Sequence, residues 1–147
     1  MPPIPGFYFR VVFELVPNFP IDTQFQSVAG LKATIESEEI NEGGQNSFSY
    51  ALPKKTKYEN IVLTRGLTTD LSALRTWCNN AIESFVFHPA NAVVSLLNPE
   101  GIPIKAWYVA QAIPVSMALS DFKAEENNLV IETLTLKPQF FKEIPIP

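Results

Sequence analysis

Hydrophobic and polar residues alternate in many short runs of this chain, with the period of two that is typical of half-buried β-strands. In the first run, residues 7–15, the apolar positions Phe9, Val11 and Phe13 share one face, whereas Arg10 and Glu14 lie on the other. Comparable runs predict further strands at 25–28, 31–36, 47–52, 61–65, 92–97, 104–112, 115–119 and 129–137. The chain is therefore predicted to be rich in strands.

One segment instead has the three- and four-residue spacing of an amphipathic helix. It predicts a helix over about residues 69–86, with Thr69 or Asp70 as the N-cap. The side chains expected to form the packing core of this helix are Leu71, Leu74, Trp77, Cys78, Ile82 and Phe85. His88 is expected near the C-terminal end of the helix, where a cation interacts favourably with the helix dipole.

Polar segments separate these elements. Residues 37–46 contain Gly43-Gly44 and are predicted to form a long loop, whereas residues 53–57 are predicted to connect two strands. The proline-rich tail, 140–147, is not expected to be a central strand, because proline lacks the N–H group that a ladder uses. Many short strands around one helix predict a single mainly β domain over 1–147, an antiparallel β-barrel or sandwich of two sheets with one flanking α-helix.

Charge and composition narrow the classes of function. The net charge is -4 and Lys and Arg form no run, so the basic surface that supplies most nucleic-acid affinity is not expected. The sequence also contains no apolar stretch near the about 18 residues of a membrane span. The N-terminus lacks the pattern of a signal peptide, so synthesis in the cytoplasm is expected. Neither membrane binding nor nucleic-acid recognition is predicted.

Candidate catalytic and metal-binding groups are few. The chain has one cysteine and one histidine, Cys78 and His88, and the apolar helix face around Cys78 would raise the pKa of its thiol. Zinc sites draw three or four ligands from such residues. The acidic residues Glu36, Glu38, Glu39 and Glu42 lack the Asp/Asn alternation of a calcium loop. We therefore predict no catalytic site, no cofactor and no metal.

Several segments, taken in order, resemble the phage tail-tube protein family. They are Phe7-Tyr8-Phe9-Arg10-Val11-Val12-Phe13, Phe25-Gln26-Ser27-Val28-Ala29-Gly30-Leu31, Glu42-Gly43-Gly44-Gln45-Asn46, Leu52-Pro53, Tyr58-Glu59-Asn60-Ile61-Val62-Leu63-Thr64-Arg65-Gly66, Trp77, Trp107, Ala112-Ile113-Pro114-Val115 and Asn128-Leu129-Val130-Ile131-Glu132-Thr133-Leu134. Members of the family often carry Glu-Val-Ser-Gly-Leu where this chain has residues 27–31, so no role is assigned to that acid and serine.

The resemblance implies a two-sheet, barrel-like fold with one flanking helix, similar to the ring-forming protein of type VI secretion. It implies an assembly role: hexameric rings of identical chains stack into the inner tube of a contractile phage tail-like injection system. The implied partners are further copies of the chain, sheath and baseplate or hub proteins, and cargo in the lumen. The implied location is a phage tail-like particle, which assembles inside the cell and can be released from it. A close alternative within the family is the tube-initiating ring on the baseplate.

The residue pattern agrees with assembly. Several strands are apolar on both faces, as at Val11-Val12 and Val93-Val94, and such strands are normally covered on both sides. A neighbouring copy can supply that cover. A monomeric β-barrel that binds a small apolar ligand in a Phe-rich interior is the alternative from another class.

A ring-stacking loop is the most specific expectation about surface residues. Its predicted members are Glu38, Glu39, Asn41, Glu42, Gly43, Gly44, Gln45 and Asn46, with Lys54, Lys55 and Lys57 as counter-charges on the adjacent ring. The motivation is a polar, glycine-containing segment that lies close in sequence to three lysines.

Overall fold

The structure is a computed structural model that describes residues 8–14, 24–40, 50–66, 72–120 and 130–146. These residues contain β1 Tyr8–Phe13, β2 Gln24–Phe25, β3 Ser27–Ala29, β4 Ala33–Ile40, β5 Tyr50–Tyr58, β6 Ile61–Gly66, α1 Ala73–Ser84, β7 Ala90–Leu97, β8 Pro103–Leu119, β9 Ile131–Lys137 and β10 Phe140–Ile144.

Eight of the strands form two antiparallel sheets that share β8. Sheet I has the order β2-β1-β7-β8-β10 and uses the first part of β8. Sheet II has the order β8-β9-β6-β3 and uses the second part. The ends of the strand path, β2 and β3, are consecutive in sequence but are not neighbours in the ladder, so the fold is a sandwich and not a closed barrel. The predicted fold class is confirmed.

The long strand β8 bends where it passes from one sheet to the other. At the bend Gln111 has a positive φ of 50°, a left-handed conformation that is uncommon for residues other than glycine. Asn91 Oδ1 holds it by accepting from the Gln111 backbone N–H at 2.9 Å and from Gln111 Nε2 at 3.1 Å. The predicted strands 104–112 and 115–119 are therefore parts of one strand.

The core lies between the inner faces of the two sheets and is closed by α1. Its fully buried members include Val11, Ile61, Leu63, Leu74, Cys78, Val94, Val109, Leu134 and Leu136. The alternation predicted for β1 is confirmed, because Val11 and Phe13 are buried whereas Arg10 and Val12 are exposed.

The helix is shorter than predicted and begins later. Ser72 is its N-cap, and Ser72 Oγ accepts from the Arg75 backbone N–H at 3.0 Å. The prediction of Thr69 or Asp70 as the cap was wrong, and both residues lie outside the described part of the chain. His88 lies four residues beyond the last helical residue, so its predicted position at the helix end was also wrong.

The predicted packing core of the helix is only partly correct. Leu74, Trp77 and Cys78 are buried, as expected, and Leu71 lies outside the described residues. Ile82 and Phe85, however, are 50% and 80% exposed. They continue the apolar stripe of α1, but the stripe is longer than the part of the helix that packs on the core, so its last residues are left exposed.

The described part of the predicted loop, residues 37–40, and the predicted connection, residues 53–57, are strands in the structure. Residues 37–40 belong to β4 and residues 53–57 belong to β5, with a register shift between Glu36 and Ser37. Proline at position 53 is compatible with this, because each strand of a two-stranded ribbon has a free edge. The tail forms β10 at the edge of sheet I, in agreement with its exclusion from a central position.

Candidate assembly surfaces

The hairpin of β4 and β5, which we call the arm, is the most exposed element of the described structure. Within the described residues its two strands pair only with each other. Almost all of its positions are exposed on both faces, including Ile35 at 65%, Ile40 and Leu52. A two-stranded hairpin is marginally stable alone in water. An arm with exposed apolar residues is therefore expected to pack on something outside this chain.

The register of the arm sets one of its lysines opposite an acid. The register places Lys55 opposite Glu36, so this lysine faces an acid of its own chain. Glu38 stands opposite Leu52 and Glu39 opposite Ala51, so the described register sets neither acid against a cation. The other predicted stacking residues on this hairpin, Asn41, Glu42, Gly43, Gly44, Gln45 and Asn46, lie outside the described part of the chain.

The base of the arm is fixed to the sandwich by close backbone contacts. Gly30 has a φ of +89°, and a Cβ atom there would overlap the backbone carbonyl oxygen of Asn60, so only glycine fits. Tyr58 at the end of β5 packs edge-on against Phe141 of β10, with ring centroids 4.9 Å apart. The arm thus leaves the sandwich from an anchored base.

The outer face of sheet I, on the opposite side of the sheet from the core, is largely apolar. The register places Val12, Val93, Tyr108 and Lys142 in one row across four strands, and Arg10, Ser95, Ala106 and Ile144 in the next. Ser95 and Ala106 are small and buried, as is Ala110 beside Phe140. Val12 is 43% exposed and Phe140 is 37% exposed. Larger apolar side chains therefore surround a floor of small ones.

A second apolar surface lies at the C-terminal end of α1. It consists of Ile82, Phe85 and Val86, and we call it the helix-end knob. All three are exposed, and Phe85 is 80% exposed although it packs edge-on against Phe87 at 4.8 Å. Phe85 also has a φ of 55°, so a bulky aromatic residue occupies a left-handed position that favours glycine.

A buried ionic cluster joins sheet II to the start of the helix. Arg65 and Glu132 face each other on β6 and β9, and Arg65 Nε donates to Glu132 Oε2 at 2.8 Å with both side chains buried. Arg75 Nε approaches Glu132 Oε1 at 3.4 Å, and Arg65 Nη2 donates to Ser72 Oγ at 3.1 Å. This cluster positions α1 and was not predicted.

The signal for the cluster was present in the sequence. Arg65 continues the alternation of Ile61 and Leu63, and Glu132 continues that of Leu134 and Leu136. An acid and a base at core positions of two strands are the pattern that a buried pair produces, because an unpaired buried charge is strongly unfavourable.

The cysteine and the histidine of the chain, both in the described ranges, lie in different surroundings. Cys78 is fully buried in the core, whereas His88 is exposed. Among the described residues, no group of three or more His, Cys, Asp or Glu side chains is arranged to hold a metal ion. The one helix in these ranges is too short and too polar to span a bilayer.

A family model identifies the family of this chain, and solved structures add similar chains. The model of the family described as T4-like virus tail tube protein gp19 matches residues 5–142. A chain of the anti-feeding prophage (AFP) baseplate, solved by cryo-electron microscopy with 6-fold symmetrisation, is 30% identical, with a TM-score of 0.81 over 98% of this chain and 96% of that chain.

Two further solved structures extend this picture. A chain of the extended sheath–tube complex of the PVC extracellular contractile injection system is 26% identical, with a TM-score of 0.78 over 98% of this chain and 93% of that chain. Hcp1 from Flavobacterium johnsoniae is 13% identical with a TM-score of 0.55, over 92% of this chain and 94% of that chain, and shares the fold. The comparison with curated proteins gives no match.

Proposed function

This chain belongs to the T4-like virus tail tube protein gp19 family, and on that premise we propose that its copies close into hexameric rings that stack into the inner tube of a contractile injection system. The chain is a structural tail tube subunit. The proposal extends this to ring number, to sheath and baseplate or hub proteins as partners, and to cargo in the lumen. No catalytic step belongs to the role.

The uncovered apolar surface is the observation that carries the ring proposal. The arm, the outer face of sheet I and the helix-end knob leave Val12, Ile35, Phe85 and Phe140 exposed on one small chain. Exposed apolar side chains that cluster on a surface are typical of protein–protein contact sites. Different surfaces of one chain that meet head-to-tail close into a ring when the rotation permits. The 6-fold symmetrisation of the AFP baseplate supports six as the number.

Electron microscopy of the purified chain tests this proposal directly. Over a series of increasing protein concentrations, we expect ring-shaped particles with six-fold averages, followed by end-to-end stacks. The alternative of a monomeric ligand-binding barrel predicts a monodisperse particle of 16.4 kDa at every concentration. That result would refute the ring proposal.

The tube-initiating ring is the second candidate role. Its support is the 30% identity to a chain of the AFP baseplate, compared with 26% to a chain of the PVC sheath–tube complex. An initiating ring has faces that meet different partners, so the purified chain would stop at single rings. A repeating tube subunit would continue into stacks, and the same micrographs separate the two roles.

We further propose that the arm contributes to stacking through Glu38 and Glu39, the acids that face no lysine across the hairpin, and through Glu42. Their counter-charges on the adjacent ring would be Lys54, Lys55 and Lys57; Lys55 also faces Glu36 in its own hairpin. Acidic residues near the end of one arm and lysines nearer the base of another form a complementary pair of surfaces.

Reversing all three acids, Glu38→Lys, Glu39→Lys and Glu42→Lys, should raise the concentration needed for stacking by roughly tenfold or more. Each exposed ion pair contributes about 0.2–1 kcal/mol, and every chain of a ring loses the same contacts. Added salt should shorten the tubes of the wild type and lengthen those of the variant, since salt screens the attraction in the first and the like-charge repulsion in the second. Tube lengths in electron micrographs at low and high salt measure both effects. Glu100→Lys, in the turn after β7, is the control, and unchanged tube length in the triple variant at low salt would count against the arm.

A further inference from the structure

The end of α1 contains two residue choices that are locally unfavourable. Phe85 occupies a left-handed backbone conformation, φ 55°, in which glycine is favoured and an aromatic residue is strained. Glu83 lies in the last helical turn, where the negative end of the helix dipole disfavours an acid. Local rules of this kind are broken mainly at functional sites. Both residues are exposed and lie two positions apart, which indicates that this end of the helix is shaped for a partner.

The outer face of sheet I has the complementary shape and charge. Its floor is formed by the small side chains of Ser95, Ala106 and Ala110, which are buried in the single chain and lie on this face by the strand register. The charged side chains that share its two described rows are both cations, Arg10 on β1 and Lys142 on β10. An apolar knob flanked by an acid thus matches an apolar floor flanked by cations.

We propose that the helix-end knob of one copy docks on the outer face of sheet I of the next copy, and that this is the contact that closes the ring. The inference rests on the proposed function, since it requires rings of identical chains. Phe85 is the anchor that lies over the small floor, and Glu83 lies near Arg10 or Lys142 of the neighbour. Because the two surfaces are different parts of one chain, the contact is head-to-tail and can repeat around a circle.

A pair of complementary blocked variants tests this contact. Phe85→Asp removes the knob but leaves the outer face intact, whereas Val12→Asp blocks the outer face but leaves the knob intact. Each variant alone should raise the concentration needed for rings at least about a hundredfold, as expected for loss of a central aromatic anchor. Mixed in equal amounts, the two variants should form a dimer and no ring. The intact knob of Val12→Asp can dock on the intact outer face of Phe85→Asp, and no further contact can form. Sedimentation equilibrium at increasing concentration measures both results.

Two milder substitutions separate docking from folding. Phe85→Gly should raise the melting temperature of the dissociated chain by about 2–4 °C, because it relieves the left-handed backbone, and should still abolish rings. Phe85→Tyr should keep them. Ile102→Asp, an exposed apolar residue outside both surfaces, is the matched control and should assemble like the wild type.

The outcomes are distinct. Rings formed by Phe85→Asp or by Phe85→Gly would overturn the assignment of the knob. Two monomeric variants that form no mixed dimer would overturn the pairing of knob and outer face. Wild-type chain that never forms rings would instead overturn the proposed function itself.

Discussion

Replacing Glu132 by alanine is expected to lower the free energy of unfolding by about 3–5 kcal/mol. The change removes the carboxylate to which Arg65 Nε donates in the buried cluster, and with it the acceptor that Arg75 approaches from the helix. Loss of a carboxylate from a buried ionic cluster weakens the compensation of the desolvated guanidinium, and this makes it one of the more destabilising changes in a protein interior. Urea unfolding of the dissociated chain, followed by circular dichroism, measures the loss.

The chain offers a matched control for this prediction. Glu143 pairs with Lys105 at 3.2 Å, but both side chains are more than half exposed. Solvent screens such a pair, so Glu143→Ala should change the stability by less than about 1 kcal/mol. Replacing both buried partners, as Arg65→Met with Glu132→Leu, should recover most of the loss, since well-packed apolar residues can substitute for a buried pair. Equal effects of Glu132→Ala and Glu143→Ala would show that the cluster is not buried.

Trp77→Ala is expected to destabilise the dissociated chain by about 3–5 kcal/mol, the range for removal of a buried aromatic side chain. Trp77 is buried at the centre of the contact between α1 and sheet I, with its ring centroid 5.9 Å from that of Phe13. Its Nε1 also donates to the backbone carbonyl of His88 at 2.6 Å, which ties the segment after the helix to the helix itself. Chemical denaturation again provides the measurement.

Ile82→Ala, on the same helix, is the control for Trp77→Ala. Ile82 is half exposed in the single chain, so its truncation should have a much smaller effect on the dissociated chain. Trp77→Phe should retain most of the packing and lose the hydrogen bond. A loss below about 1 kcal/mol for Trp77→Ala would mean that the helix does not pack through this side chain.

Alternation was sufficient to predict most of the sandwich, because residues on one face of a strand share one environment. Val11, Phe13, Leu134 and Leu136 are buried where the period of two places them. Periodicity also located the helix. It could not locate the helix start, because Thr69, Asp70 and Ser72 are all suitable N-caps. Ser72 Oγ also accepts from Arg65 Nη2 on β6, a contact that periodicity does not show.

The arm and the helix-end knob were mispredicted because both extend beyond the core. Periodicity shows which residues share a face, but not how far the opposing sheet reaches, so Ile82 and Phe85 were expected in the core and lie in solvent. Glu38, Glu39 and Pro53 have low strand preference, which predicts a loop or connection. They form strands because a two-stranded ribbon leaves both faces and one edge of each strand open to water. These errors coincide with the surfaces assigned to assembly.

The central claim is that neighbouring copies cover the arm and the helix-end knob, which are exposed in the single chain. Amide hydrogen exchange on the dissociated and the assembled chain tests this claim most directly. Exchange in β4, β5 and the helix end should become at least about tenfold slower on assembly, because exposed hydrogen bonds there become buried. The inner strands β6 and β9, already covered in the single chain, should change little. Exchange rates in the arm and the helix end that are the same in both states would contradict the account.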